Sequence, residues 1–361
     1  MIYICYSCTI AFIFLLSFAN GSNDVSKPIA TLAGSGVTSL KKAIYWGVFC
    51  TLLGSIAGTY WGMALIKNLT ENLYLTDVSH TTSSALAIII APFLWVIIAS
   101  VKKLPVSTTH SILGSLIGVG VLTVGSKAID WQYFLLKNIL PLLTSPIIAI
   151  ILVIILMRII NSDNHPIKRL TKYTVNALII YPKSILLSRF TSNTIATIEI
   201  SEPPAKTFDN LHILSSGILS FARGLNDTPK LIAVIMPYAL LHDINSNIWL
   251  FYIAAIGMAC GGLLMGKNVT RVLCCGITTM NHRQGFIANI ISGFLVIIAS
   301  RFGLPVSTTH VSSASIIGIG VGKDNDLQMT TVKHIIFAWV VTAPVTALFA
   351  ITIYQLLEIL K

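Results

Sequence analysis

Long apolar runs alternate with short polar inserts from one end of the chain to the other. About 20 apolar residues in a helix are enough to cross a bilayer. Runs of that kind predict helices over roughly 3–19 continuing at 29–40, then 43–66, 82–100, 111–124 and 131–158. A second series follows over 211–222 continuing at 231–241, then 247–266, 286–300, 311–322 and 334–357. The runs 111–124 and 311–322 are short and carry glycine pairs, Gly118 with Gly120 and Gly318 with Gly320. Short, glycine-interrupted segments at matching places in two halves are the sequence mark of a transporter binding site. The pattern predicts an all-α polytopic integral membrane protein with broken or re-entrant helices and about 10–12 membrane segments.

The two series match in sequence as well as in spacing. LPVSTTH at Leu104–His110 returns unchanged at Leu304–His310, and each copy follows VIIAS, at Val96–Ser100 and Val296–Ser300. Such a repeat marks an internal duplication. It divides the chain into an N-terminal transmembrane repeat over 1–158, a linker over 159–210 and a C-terminal repeat over 211–361. The linker carries Lys168, Arg169, Lys172, Lys183, Arg189 and Lys206, and basic loops stay on the cytoplasmic side. Its apolar stretches around Ile179 and Leu186 suit an interfacial helix.

Loop charge gives the orientation of each half. Lys41 and Lys42 put the first loop inside; 67–81, with Glu71 and Asp77 against Lys67, reads as outside. In the second half 242–246 holds Asp243 and no Lys or Arg, and reads as outside; 267–285 holds Lys267, Arg271 and Arg283, and reads as inside. Corresponding loops face opposite ways, which predicts inverted-topology repeats with an odd number of crossings in each. Five per half result if 3–40 and 211–241 each count as one broken crossing.

Composition strengthens this picture. Of 361 residues 55% are hydrophobic and 10% charged, with a mean hydropathy of +0.82. Soluble domains carry about 25% charged residues, so several soluble domains are excluded. The net charge of +11 comes largely from a few loops and is a membrane-topology signal, not a nucleic-acid surface. Cys5 and Cys8 have CxxC spacing in an apolar run without a second pair, and read as small helix residues. Tyr3–Ala19 lacks a basic flank and runs straight into polar residues, so it reads as a mature helix. No phosphate-binding GxxxxGK[ST] loop is present, which leaves an ion gradient as the driving force and implies no cofactor.

Two polar motifs carry the candidate chemistry. Asn20-Gly-Ser-Asn23-Asp24-Val-Ser26-Lys27-Pro28 has its echo in Arg223-Gly-Leu-Asn226-Asp227-Thr228-Pro229-Lys230, a shared G-x-N-D-x-x-K frame. Glycine and proline predict that the backbone leaves the helix at both copies. Asn23, Asp24, Asn226 and Asp227 offer oxygens to a cation or a proton; Na⁺ at Asp24 and Asp227 is one option. Lys27 and Lys230 offer charge to an anion, or bridge to the acids and pin helices together. A charge at the membrane centre costs about 2.5–3.5 kcal/mol, so these groups must face the protein interior or a water-filled path.

In the other motif Pro105 and Pro305 set a turn from which a helix starts near the serine. Ser107, Thr108 and Thr109, with Ser307, Thr308 and Thr309, then present hydroxyls and free N–H groups to an anion, or simply cap their helices. His110 and His310 are candidates for a proton relay, or for packed histidines.

At these residues the chain resembles the inorganic phosphate transporter family, which carries a duplicated GANDVANA-like signature and a duplicated PVSTTH-like segment. The corresponding stretches are Gly21–Pro28 with Gly224–Lys230, and Pro105–His110 with Pro305–His310. The resemblance covers about 15–125 and 215–325 and leaves out the linker. It implies inverted repeats, a homodimer, and symport of inorganic phosphate with Na⁺ or H⁺ across the cell membrane. It places Asn23, Asp24, Asn226 and Asp227 in the coupling-ion region and the Ser-Thr-Thr hydroxyls around the phosphate. Lys27 and Lys230 depart from the usual signature, which has a second Asn there; the coupling ion therefore stays open, and so does a sulfate permease of the same fold. From other classes, an anion channel would also suit duplicated polar inserts. A membrane enzyme lacks any paired nucleophile or acid cluster.

Overall fold

The computed structural model describes residues 2–70, 81–161, 206–242, 248–323 and 326–360. Among these all regular structure is helical. The first half contains α1 (Ile2–Asp24), α2 (Ser26–Gly34), α3 (Leu40–Trp61), α4 (Met63–Thr70), α5 (Thr82–Val101), α6 (Thr108–Thr123) and α7 (Leu140–Asn161). A single turn at Trp131–Tyr133 and a π-helical stretch at Phe134–Ile139 lead into α7. The second half contains α8 (Lys206–Leu241), α9 (Trp249–Met265), α10 (Lys267–Cys275), α11 (His282–Arg301), α12 (Thr308–Val321) and α13 (Met329–Ile359). Among the described residues six helices are long and apolar enough to cross a membrane, or seven if the bent pair α9–α10 is one span. The outer faces of α7 and α13 are apolar and exposed, with Leu143, Ile147, Ile151, Phe337, Val340 and Leu348 outward. Lipid favours such a face.

The polar motifs do not leave the helix as expected. Asn20–Asp24 forms the last turn of α1, and α2 resumes after a break at Val25 alone, so that Ser7–Gly34 runs as one 28-residue span. Pro28 falls in the first turn of α2, where its missing N–H would have no intrahelical partner. The second copy shows no break at all. α8 runs unbroken for 36 residues, about 54 Å at 1.5 Å per residue, through Pro229 and Pro237. The ring of Pro229 is seated against Gly58 and Gly62 at the end of α3.

Two further expectations need correction. Of 267–285, read as a loop, the first nine residues form α10, bent by 67° from α9 at Gly266. The glycines of 111–124 and 311–322 do not interrupt their helices. A Cβ on Gly118 would stand 2.7 Å from Ala347 O on α13, and one on Gly318 would stand 3.1 Å from Val153 on α7. They serve close packing of neighbouring helices. The helix starts after Pro105 and Pro305 fall at Thr108 and Thr308, as the sequence indicates. The ends of the linker expected over 159–210 are helical, 159–161 in α7 and 206–210 in α8; its remainder with Ile179 and Leu186, Asp243, most of the acidic loop at 67–81 and the Cys5 side chain lie outside the described residues.

The two halves interlock by exchanging partners. α1 packs along α9, and α8 along α3; α2 lies on α10, and α4 on α8; α6 packs along α13, and α12 along α7. The first two crossings are close. A Cβ on Gly21 would come within 2.0 Å of Met258 O, and one on Gly261 within 2.0 Å of Phe18 O. At the other crossing a Cβ on Gly54 would come within 2.0 Å of Phe221 O, and one on Gly224 within 2.2 Å of Thr51 O. Two large apolar clusters form, one including Ile13, Leu16, Ile88, Leu113 and Leu231, the other Ala30, Leu273, Ile287, Ile316 and Ile335. Along α1–α2 the polar motif falls between the first cluster at Leu16 and the second at Ala30.

Candidate functional site

The last turn of α1, the middle of α8 and the starts of α6 and α12 meet in a buried polar cluster. Lys27 sits three residues after Asp24 and four after Asn23, so its side chain reaches back over the preceding turn. The Lys27 ammonium donates to Asn23 O at 2.8 Å and Asn23 Oδ1 at 2.6 Å, and bonds closely to Asp24 Oδ1. Asp24 Oδ2 accepts from Asn20 Nδ2 at 2.9 Å and from Thr108 Oγ1 at 3.1 Å. The Asn23 amide donates to Ser100 Oγ at 3.1 Å and Leu104 O at 2.9 Å, which ties α1 to the end of α5.

In the second copy the acid is more widely shared. Asp227 Oδ1 accepts from Asn226 Nδ2 at 3.0 Å and faces Lys230 Nζ at 3.6 Å. Asp227 Oδ2 faces Arg223 Nε at 3.7 Å and accepts from Asn20 Nδ2 at 3.3 Å. Lys230 Nζ crosses between halves, donating to Thr109 Oγ1 at 2.9 Å and to Val306 O at 2.6 Å. Ser300 donates to Asn226 Oδ1 at 3.1 Å.

Asn20 and Arg223 occupy equivalent places, each one residue before the motif glycine. They bond to each other, Arg223 Nη2 donating to Asn20 Oδ1 at 3.0 Å, while Nη1 donates to Thr51 Oγ1 at 3.3 Å. The Asn20 amide group therefore touches both carboxylates and, at 3.1 Å, Thr108. Neither residue is picked out by the motif frame alone. A lone arginine inside an apolar run is the signal that finds Arg223, because lipid exposure of its charge is costly. Arg223, Lys27 and Lys230 are the three largest fully buried side chains among the described residues. Three cations against two carboxylates leave a formal +1 in a site closed from water, which favours an anion.

The two LPVSTTH segments meet reciprocally. Thr109 Oγ1 donates to Val306 O at 3.3 Å and Thr309 Oγ1 to Val106 O at 2.8 Å. Ser107 and Ser307 cap their helices, each hydroxyl accepting from the backbone N–H of His110 or His310 at 3.2 Å. Ser107 Oγ also lies 2.9 Å from His110 Nδ1. The Ser307 and Thr308 hydroxyls donate no hydrogen bond among the described residues, although both are buried. The His110 and His310 rings face each other with centroids 4.4 Å apart, and His310 stacks on Trp339 at 4.1 Å. Thus the motif acids and lysines, Asn20, Arg223, Thr108 and Thr109 form one connected network. Ser107, Ser307 and Thr309 hold the helix starts beside it, and the histidines pair with each other.

The phosphate transporter family model matches residues 20–350. A Haemophilus influenzae protein described as a phosphate permease is 28% identical over 404 residues, covering 97% of this chain and 96% of that protein. A Rhizobium meliloti protein described as a low-affinity inorganic phosphate transporter is 25% identical over 351 residues, covering 96% and 94%. The solved structure of a sodium-dependent phosphate transporter superposes with a TM-score of 0.81 at 22% identity, over 100% of both chains.

Proposed function

The chain belongs to the phosphate transporter family, and from that premise we propose that it is a secondary active symporter carrying inorganic phosphate across the cell membrane by alternating access. Coupling is to H⁺ or Na⁺. The observation that carries the reading is the convergence of both halves on one buried polar cluster with a formal positive excess. Asp24, Asp227, Asn23 and Asn226 are its coupling-ion groups. Lys27, Lys230 and the hydroxyls of Ser107–Thr109 and Ser307–Thr309 face the phosphate in the working cycle, and His110 with His310 passes protons. The exchanged packing of α1 on α9 and α8 on α3 supports two repeats of opposite orientation around this cluster. The working unit is a homodimer in a multi-pass arrangement.

The test is uptake of radiolabelled phosphate into proteoliposomes, with sulfate as competitor and with imposed Na⁺ and pH gradients. Saturable uptake that an ion gradient drives and sulfate leaves largely intact is expected. Non-saturating flux would make the protein a channel, and equal inhibition by sulfate would overturn phosphate selectivity. Repeat orientation has its own test. With native cysteines replaced, single cysteines in 71–80 and in 276–281 should react with impermeant label from opposite faces. Reaction from the same face would remove the inverted arrangement.

A further inference from the structure

We infer that Lys27, Lys230 and Arg223 are built-in counter-cations that take the place of sodium, so that phosphate binding and transport by this protein need no Na⁺. The inference rests on the transport reading above and concerns how the same site is charged.

The geometry of the ammonium groups carries it. A hard monovalent cation in a protein is held by carbonyl, amide, carboxylate and hydroxyl oxygens. Lys27 Nζ has such a set: Asn23 O, Asn23 Oδ1 and Asp24 Oδ1. An ammonium has three protons, and three acceptors satisfy it completely. Lys230 Nζ has a second oxygen set, with Val306 O at 2.6 Å, Thr109 Oγ1 at 2.9 Å and Asp227 Oδ1 at 3.6 Å. That set draws on both halves of the chain.

Both carboxylates already stand against tethered cations and neutral donors. Asp24 Oδ1 is taken by Lys27, and Asp24 Oδ2 by Asn20 and Thr108. Asp227 Oδ1 is taken by Asn226 and faces Lys230; Asp227 Oδ2 is taken by Asn20 and faces Arg223. A sodium ion would have to displace a covalently tethered cation and then sit beside it in a site that excludes water, where like charges repel strongly. The tethered cations already outnumber the acids, so an oxyanion meets a positive site without carrying a metal in. The proton then remains as the coupling ion, and the paired His110 and His310 rings lie at the starts of the two helices that face the cluster.

The experiment is phosphate uptake by the wild-type protein in proteoliposomes under a fixed pH gradient, with choline replacing all Na⁺, and with ²²Na⁺ present in a parallel set. Uptake in choline within about twofold of that in Na⁺, with no phosphate-stimulated ²²Na⁺ entry, is expected. Uptake only with Na⁺, or ²²Na⁺ entry that follows phosphate, overturns the inference and leaves the transport reading intact. No uptake in either medium overturns the transport reading itself. A second measurement uses phosphate binding to purified protein. The wild type should bind equally in choline and in Na⁺, whereas Lys27→Asn combined with Lys230→Asn should bind at least tenfold more tightly in Na⁺ than in choline. Sodium-independent binding by that double variant would also overturn the inference. Should the double variant fail to fold, the wild-type uptake comparison decides alone.

Discussion

The two copies of G-x-N-D-x-x-K hold the same acids and lysines in different arrangements. In the first copy the charges are settled locally: Lys27 closes on Asp24 and on Asn23 within one turn. In the second copy Lys230 stands 3.6 Å from Asp227 and reaches across to Thr109 of the first half and to Val306 of its own. The difference traces to the position before the glycine. Asn20 is neutral and bridges both acids. Arg223 is charged and takes over part of the pairing of Asp227, which frees Lys230 to act as a cross-link. A duplicated motif therefore gives one self-contained ion pair and one shared one, and the extra cation makes the site net positive.

The strongest way to break this contrast is Arg223→Asn, which makes the second copy like the first. Removing one partner of a buried ion pair costs about 3–5 kcal/mol of stability, so thermal unfolding in detergent should come much earlier and phosphate uptake should fall sharply. Uptake at the wild-type rate would mean that Arg223 is a bystander. A milder comparison sets Lys27→Met against Lys230→Met. The first strands Asp24 with neutral donors only, while the second leaves Asp227 facing Arg223. Thermal unfolding in detergent should show Lys27→Met as the less stable variant by about 1–2 kcal/mol, part of the penalty for a buried charge without its partner. Equal midpoints would remove the distinction between a local and a shared pair. The smallest effect concerns the caps. Ser107→Ala and Ser307→Ala should each lose about 1 kcal/mol of stability, because both hydroxyls cap a helix. Of the two, Ser307→Ala should lose more phosphate affinity, since its hydroxyl proton is uncommitted. Tracer binding that falls equally in both variants would argue against this asymmetry.

Much of the arrangement was legible from the amino acids. The duplication, the helical class and the helix starts after Pro105 and Pro305 follow from repeated motifs and apolar run length. Asp24, Lys27, Asp227 and Lys230 were legible as a cluster because buried charges need partners. Local breaks were not. Proline and glycine predicted a chain leaving the helix, but Pro28 falls where an N–H is dispensable and Pro229 is packed into a glycine-lined groove. Those outcomes depend on neighbours far along the chain. Asn20, although it opens the first motif, carries no role in the sequence for the same reason: a neutral amide at a helix end is unremarkable until its partners, Thr108, Arg223 and Asp227, are seen around it.

The exchanged helix pairing also has a consequence for synthesis. Gly21 on α1 packs on Met258 of α9, which leaves the ribosome about 240 residues later, on the order of 12–50 seconds at 5–20 residues per second. Throughout that interval α1 lacks its docking helix, and for about the first 200 residues of it also the cations and acid of α8. A free aspartate on α1 would be a barrier to its entry into lipid. Lys27, three residues on, is translated within the same second and neutralises it on the spot. Arg223, Asp227 and Lys230 arrive when the first half is already in place and can bind to partners at once. The tight pair belongs to the half that must wait, and the open pair to the half that arrives last.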